Sequence, residues 1–271
     1  MNGASREALA AARERLDALT DNTSVDAAKL ADELAAVTAL LDREVSLRRV
    51  LTDPAQAGEA KAELAQRLLG GQVGGETADL LAGMVRSRWS QSRDLVDALE
   101  ELANTADLTA AQKAGTLDEV EDELFRFGRI ISSSTELRAA LTNRAATGSA
   151  KGELLRSLLG GRAKVTTERL VTRLVTAPRG RSLESGLESL SKLAADRRDR
   201  MVAVVTSAVP LSDRQKQRLG AALAKLYGRP MHLNLDVDPE VVGGIRVQVG
   251  DEVINGSLAD RIEDAGRRLA S

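Results

Sequence analysis

The chain has no cysteine, which excludes a disulfide framework, a thiolate nucleophile and a cysteine-ligated metal. Aromatic residues make up 1% of its 271 residues. A core must therefore be built from Leu, Val and Ala, which suits closely packed helices, and a site that stacks bases would lack its usual platforms. The only histidine is His232, so there is no second imidazole for a metal and no alternative base for a nucleophilic triad. Positive charge is not in excess. A net charge of −2 argues against a phosphate-backbone binder, which needs a basic face. Every apolar run is far shorter than the roughly 18 residues that cross a bilayer. The charged opening, with Arg6, Glu7, Arg13, Glu14 and Arg15, excludes a secretory signal. A cytoplasmic chain is expected, and any membrane attachment would be made through another subunit.

What is present is 43% hydrophobic sequence, enough to bury cores in two or three domains. Much of it is written twice. The segment that begins Leu47-Arg48-Arg49-Val50-Leu51-Thr52 returns 90 residues later as Leu137-Arg138-Ala139-Ala140-Leu141-Thr142. The same register pairs Gly58 with Gly148, Lys61 with Lys151, Glu63 with Glu153, and Leu68-Leu69-Gly70-Gly71 with Leu158-Leu159-Gly160-Gly161. A repeat of this length predicts a duplicated helical module, drawn as copy one over 1–103 and copy two over 104–194. Stripes at steps of three and four support helices in both copies. In copy one they run Leu9-Ala12-Leu16-Leu19, Leu30-Leu34-Val37-Leu41, Leu80-Leu81-Met84-Val85 and Leu95-Leu99-Leu102. In copy two they run Leu117-Val120-Leu124-Phe127-Ile131, Leu170-Val171-Leu174-Val175 and Leu183-Leu187-Leu190, with a weak opening over 104–115. Asp53 and Pro54 are expected to start a helix that stops at Gly70-Gly71.

The last part, 195–271, changes period. Met201 to Val209 is a buried-strand run ended by Pro210. Ser212 and Gln215 make a capping box for a helix carrying Leu219, Leu223 and Leu226. His232 to Val237 reads as a strand, and Ile245 to Ile254 alternates about Gly250-Asp251 as a β-hairpin does. A final helix is expected from an N-cap at Ser257. The fold class is therefore mainly α, with two tandem helical bundles followed by a small α/β module containing a hairpin.

Motifs for chemistry are wanting. The glycine pairs 70/71 and 160/161 lack the preceding strand and following lysine of a phosphate loop and read as helix C-caps. The run Asp236 to Glu240 resembles the start of a calcium loop, but Val241 and Val247 stand where a glycine and a bidentate Glu are required. The carboxylates Asp118, Glu119, Glu121, Asp122 and Glu123 read as a solvated helix face, and Trp89 and Tyr227 as packing anchors. No catalytic, cofactor-binding or metal-binding residue is assigned, and no cofactor is expected.

The elements Val205-Thr206-Ser207-Ala208-Val209-Pro210-Leu211-Ser212, Asp238-Pro239, Gly243-Gly244-Ile245 and Ile254-Asn255-Gly256-Ser257 resemble, in that order, the C-terminal signature of the delta subunit family of rotary ATP synthases, which includes the oligomycin-sensitivity-conferring protein. Asn255 stands where the family usually has Asp, and Asn too tolerates a positive φ in a tight turn. The resemblance implies a non-catalytic stator subunit, one per complex, on the cytoplasmic face. It would link the catalytic head to the membrane-anchored b-type stalk and resist rotor torque. Family members have one bundle before the C-terminal module, so a second bundle is an addition. They hold N-terminal helices of the alpha subunits between the first and fifth helices of that bundle. Carried onto this chain, those positions are Leu9, Ala12, Leu16, Leu80, Leu81 and Met84 in copy one, or Leu170 and Leu174 in copy two. Copy one is favoured for its better-formed first helix. The C-terminal module would meet the b subunit. The competing reading is a free-standing helical scaffold for amphipathic partner helices.

Overall fold

The computed structural model describes residues 2–21, 24–198, 201–227, 231–238, 244–249 and 252–255. It divides into two compact units, Met1–Arg197 and Arg198–Ser271.

The first unit is helical. Its elements are α1 (Gly3–Asp21), α2 (Ala27–Arg43), α3 (Val45–Thr52), α4 (Gly58–Leu69), α5 (Gly75–Arg86), α6 (Ser92–Lys113), α7 (Leu117–Ser133), α8 (Thr135–Thr142), α9 (Gly148–Leu159), α10 (Val165–Thr176) and α11 (Leu183–Arg198). Helices α2 to α5 recur as α7 to α10, each displaced by 90 residues and equal in length to its counterpart. The same displacement carries α1 onto α6. A boundary between 103 and 104 therefore falls inside a helix, because α6 both closes copy one and opens copy two. Its Leu95, Leu99, Leu102 and Ala106 belong to the first core, and its Leu108 and Ala111 to the second. The stretch after 103 is poor in large apolar residues but rich in Ala, the strongest helix former. Nothing stops the helix before Gly115, whose φ is +68.

Short polar side chains punctuate both copies. Asp26 caps α2 by accepting from the N–H groups of Ala28 and Lys29. Asp53 does not start the helix expected of it and Pro54. It follows α3, and its Oδ1 accepts from Ala55 N–H at 2.9 Å, making an Asx turn that Asn143 and Ala145 repeat at the same distance. The next helices begin only at Gly58 and Gly148. The short helices α3 and α8 start two residues before the repeat that opens at Leu47 and Leu137 and run into it.

The second unit contains β1 (Met201–Ser207), α12 (Asp213–Tyr227), β2 (Met231–Val237), β3 (Ile245–Val249) and β4 (Glu252–Asn255). The sheet order is β2-β1-β3-β4, with β1 and β2 parallel and the other pairs antiparallel. A parallel neighbour needs a crossover, which α12 supplies. Val249 pairs with Glu252, in keeping with a hairpin about 250–251. Burial alternates along β3, and Val205, Leu223, Val247 and Val249 form a small core. Ser212 precedes α12 as an N-cap. Its backbone N–H donates to Gln215 Oε1 at 2.9 Å, one half of the capping box. The turn residues 250–251, Gly243, the side chains of His232 and Asn255, and the segment from Gly256 and Ser257 onward lie outside what the structure describes.

Candidate functional site

The copy-one residues named from the resemblance come together at the seam between α1 and α5. Leu9, Ala12 and Leu16 on α1, with Leu80, Leu81 and Met84 on α5, all belong to the first core, and none is more than 8% exposed. Leu170 and Leu174 on α10 are equally buried, in the second core. Stripes of Leu and Ala at this spacing bury against neighbouring helices before any partner arrives. These residues shape the seam, and its outer surface carries polar neighbours such as Arg15, which passes beside Gly83 on α5.

The equivalent seam in copy two, between α6 and α10, is ionic. Arg169 Nε reaches Asp107 Oδ1 at 2.8 Å, and its Nη1 reaches Asp32 Oδ2 on α2 at 3.0 Å. Arg173 donates to Asn104 Oδ1 at 2.6 Å and to Asp107 Oδ2 at 2.8 Å. The Asp107 side chain is 2% exposed. Its burial pushes the carboxyl above the ordinary range, against the pull of Arg173 and Arg169. Burial works against the charge on Arg169 as well, but its hydrogen bond to Asp32 and the charges of Asp107 and Asp32 outweigh it and hold the guanidinium above its usual value. Two further clusters join the copies. Arg197 on α11 bonds Asp17 on α1 at 2.8 Å and Gln112 on α6 at 2.6 Å, and Arg179 and Arg181 pair with the buried Glu100. Arginines of copy two thus meet acids of α1, α2 and the shared helix. No motif or period in the sequence marks this network. Its one visible trace is Asn104 and Asp107, three apart in an otherwise Ala- and Leu-rich helix.

A second feature repeats to the atom. Glu33 on α2 accepts from Gly74 N–H at 2.9 Å and from the Thr77 hydroxyl, at the start of α5. Glu123 on α7 accepts from Lys164 N–H at 2.9 Å and Thr167 Oγ1 at 2.6 Å, at the start of α10. Each carboxylate satisfies a helix terminus that no neighbouring side chain caps, where a negative charge is favoured. Glu123 is therefore more than part of a solvated face.

The remaining expected residues are structural. Gly70 follows α4, and its N–H donates to Gln66 O; Gly160 does the same toward Arg156 O. A Cβ would lie 2.6 Å from the Gln66 oxygen at Gly70 and 2.5 Å from that of Arg156 at Gly160. Gly161 adopts φ +70, whereas Gly71 does not share that conformation. Trp89 is buried and donates Nε1–H to Met84 O at 2.8 Å. Among the described residues no cluster of His, Asp and Glu is placed to hold a metal, and no helix is long and apolar enough to cross a membrane.

A family model described as the ATP synthase delta (OSCP) subunit matches residues 105–269, from within α6 through the mixed sheet. Over its whole length the chain is 88% identical to ATP synthase subunit delta of Streptomyces coelicolor, covering 99% of that protein. It is 82% identical to the corresponding protein of Streptomyces griseus subsp. griseus, and 48% identical to that of Thermobifida fusca, with all of each relative covered. The duplicated bundle, the shared helix and the β-α-β-β-β module thus occur in a chain that belongs to the ATP synthase delta (OSCP) family, a component of the peripheral stalk of ATP synthase.

Proposed function

We propose that this stalk subunit has no active site of its own and works as a mechanical coupling on the cytoplasmic face. It holds N-terminal helices of the alpha subunits through copy one and the b-type stalk through the C-terminal module, one chain per complex. The observation that carries the assignment to copy one is the state of the two seams. The α6–α10 seam is already occupied by Arg169 and Arg173, which tie α10 to Asp107 and across to Asp32 on α2. Among the described residues α5 makes no such tie to the other copy, and α1 is tied only toward its C-terminal end, through Asp17 and Arg197. A joint under torque needs interfaces that stay closed, on the order of 1,200–2,000 Å² each, and a helix laid along a seam can supply that area.

A second reading rests on one observation: the family model begins at residue 105, so copy two stands where the family has its single bundle. The two readings separate in a titration of the isotope-labelled full chain with a synthetic N-terminal peptide of the cognate alpha subunit. Copy-one binding moves the amide signals of α1 and α5; movement confined to α6 and α10 transfers the role to copy two, and no movement in either bundle ends the proposal. Removal of residues 199–271 is expected to leave this titration unchanged and to abolish capture of the b-type subunit.

A further inference from the structure

Copy two carries a groove that copy one lacks. In copy one, α2 lies along α6, and Ala31, Leu34, Thr38, Leu95, Leu99 and Leu102 are all buried. Between the corresponding helices α7 and α11 there is instead an open channel of about 830 Å³. Its floor and walls include Leu124, Phe125, Gly128, Ile130 and Leu187. Phe125 is 59% and Ile130 50% exposed, a large apolar exposure in a chain with two Phe in all. The position of Gly128 is open as well, since a Cβ there would meet no heavy atom within 4 Å.

Charge divides the groove lengthwise. Arg126 and Arg129 line it from α7, while Glu184 and Glu188 line it from α11. Arg126 is engaged within its own helix by Asp122, and Glu184 is 3.6 Å from Arg138. Among the described residues, Arg129 and Glu188 have no ion-pair partner. The α7 wall runs from Leu124 to Ser133, about 15 Å at 1.5 Å per residue, or roughly three turns of a docked helix.

We propose that the α7–α11 groove is a docking site for one amphipathic helix of another subunit of the same complex. That helix sets aliphatic residues on Phe125, Ile130 and Leu187, with acidic residues along the α7 flank and basic residues along the α11 flank. The statement rests on the stalk-subunit reading for the identity of the owner, and on the groove alone for its chemistry. It is distinct from the α1–α5 seam and gives the second bundle work that does not compete with the first. A helix with both flanks acidic meets Glu184 and Glu188, and one with both flanks basic meets Arg126 and Arg129. The groove therefore selects mixed flanks over either uniform kind.

The test uses the full chain and three dye-labelled synthetic helices of three to four turns with the same Leu stripe, flanked by Glu and Lys on opposite sides, by Glu on both, or by Lys on both. Fluorescence anisotropy is expected to give at least fivefold tighter binding for the mixed helix than for either uniform one. Glu188→Lys is expected to shift the preference toward the all-Glu helix. Gly128→Leu places a side chain where a Cβ meets no heavy atom within 4 Å, and is expected to weaken mixed-helix binding at least tenfold while the helical circular dichroism is kept. Equal affinities for the three helices, no binding, or indifference to Gly128→Leu would overturn the proposal. A second arm places a photo-crosslinking residue at Phe125 in chain purified within the synthase. Attachment to another subunit supports the docking site, and attachment only within the chain overturns it. Failure of the chain to co-purify with the synthase would strike at the stalk reading, while the anisotropy result on the groove would stand.

Discussion

The two copies place the same helices at the same spacing and close them differently. Along α2 the positions turned to α6 are small: Ala31 and Thr38 are buried, and Ala35 packs partly buried against the core. Small residues let two helix backbones approach, so the Leu95, Leu99 and Leu102 side chains interlock with little void. Ninety residues on, α7 has Glu121, Phe125 and Gly128 at those positions. Phe125 and Gly128 line the open groove between α7 and α11, whereas Ala35 and Thr38 pack along the closed seam of copy one. The two copies share the framework, including the Glu33 and Glu123 caps, and differ at these three positions on one face, where one has a sealed seam and the other an open groove.

The largest effect is expected from writing copy two's residue into copy one. Ala31→Glu buries a charge with no partner in a fully buried position, and is expected to lower the stability of the first unit by about 3–5 kcal/mol. Chemical denaturation followed by circular dichroism reads this directly. The converse change, Phe125→Ala, removes a ring that is 59% exposed and is expected to stay within about 1 kcal/mol of the parent. Comparable losses at both positions would mean that the groove closes in solution.

The Glu caps come next. Glu33→Ala and Glu123→Ala each leave a backbone N–H and a Thr hydroxyl without their acceptor, at a cost of about 1–3 kcal/mol. Equal costs in the two copies would establish that the framework is equivalent in energy as well as in geometry; a marked difference would restrict the equivalence to shape.

The helical repeat and the C-terminal module were legible because their signals are local. Stripes at steps of three and four, the Ser212–Gln215 capping box and the alternation of Ile245, Val247 and Val249 each report the face of one element. The features without a local signal are relational. The division at 103 came from the register of the repeat, whereas α6 runs through it, sustained by Ala106, Ala110 and Ala111, as far as Lys113 before Gly115. The Arg169–Asp107–Arg173 cluster joins residues more than 60 positions apart, and no local period marks such a pair. The burial of Leu9, Leu80 and Leu81 makes the same point in reverse, because a stripe that could receive a partner is written like a stripe that forms a core.

Two helical glycines extend the comparison at smaller amplitude. Gly128 opens on empty space, so Gly128→Ala is expected to raise stability by up to about 1 kcal/mol through helix propensity alone. Gly186 on α11 faces Leu174 so closely that a Cβ would sit 2.3 Å from Leu174 Cδ1, and Gly186→Ala is expected to cost about 1 kcal/mol as that side chain shifts. Thermal unfolding of the two variants should therefore move in opposite directions. A loss at Gly128 would show that α11 approaches α7 more closely than the groove allows.

The smallest effect expected is a slope with pH, and it tests the ionic seam that sets copy two apart. Burial raises the Asp107 carboxyl above its ordinary range, which for Asp lies near about 3.9, so the folded chain holds that proton more tightly than the unfolded one. The stability this group contributes is fully present below the ordinary value and is lost as pH rises through the raised folded value. Asp107→Asn keeps an oxygen to accept from Arg169 or Arg173 but does not titrate. Its cost relative to the parent chain is therefore expected to be greatest in acid, to shrink as pH rises from about 4 through the raised value, and to level off above it. Urea unfolding of both chains across that range reads the difference. A cost that grows with pH would mean that the two arginines hold the carboxyl below its ordinary range, and that charge attraction outweighs burial where the two copies meet.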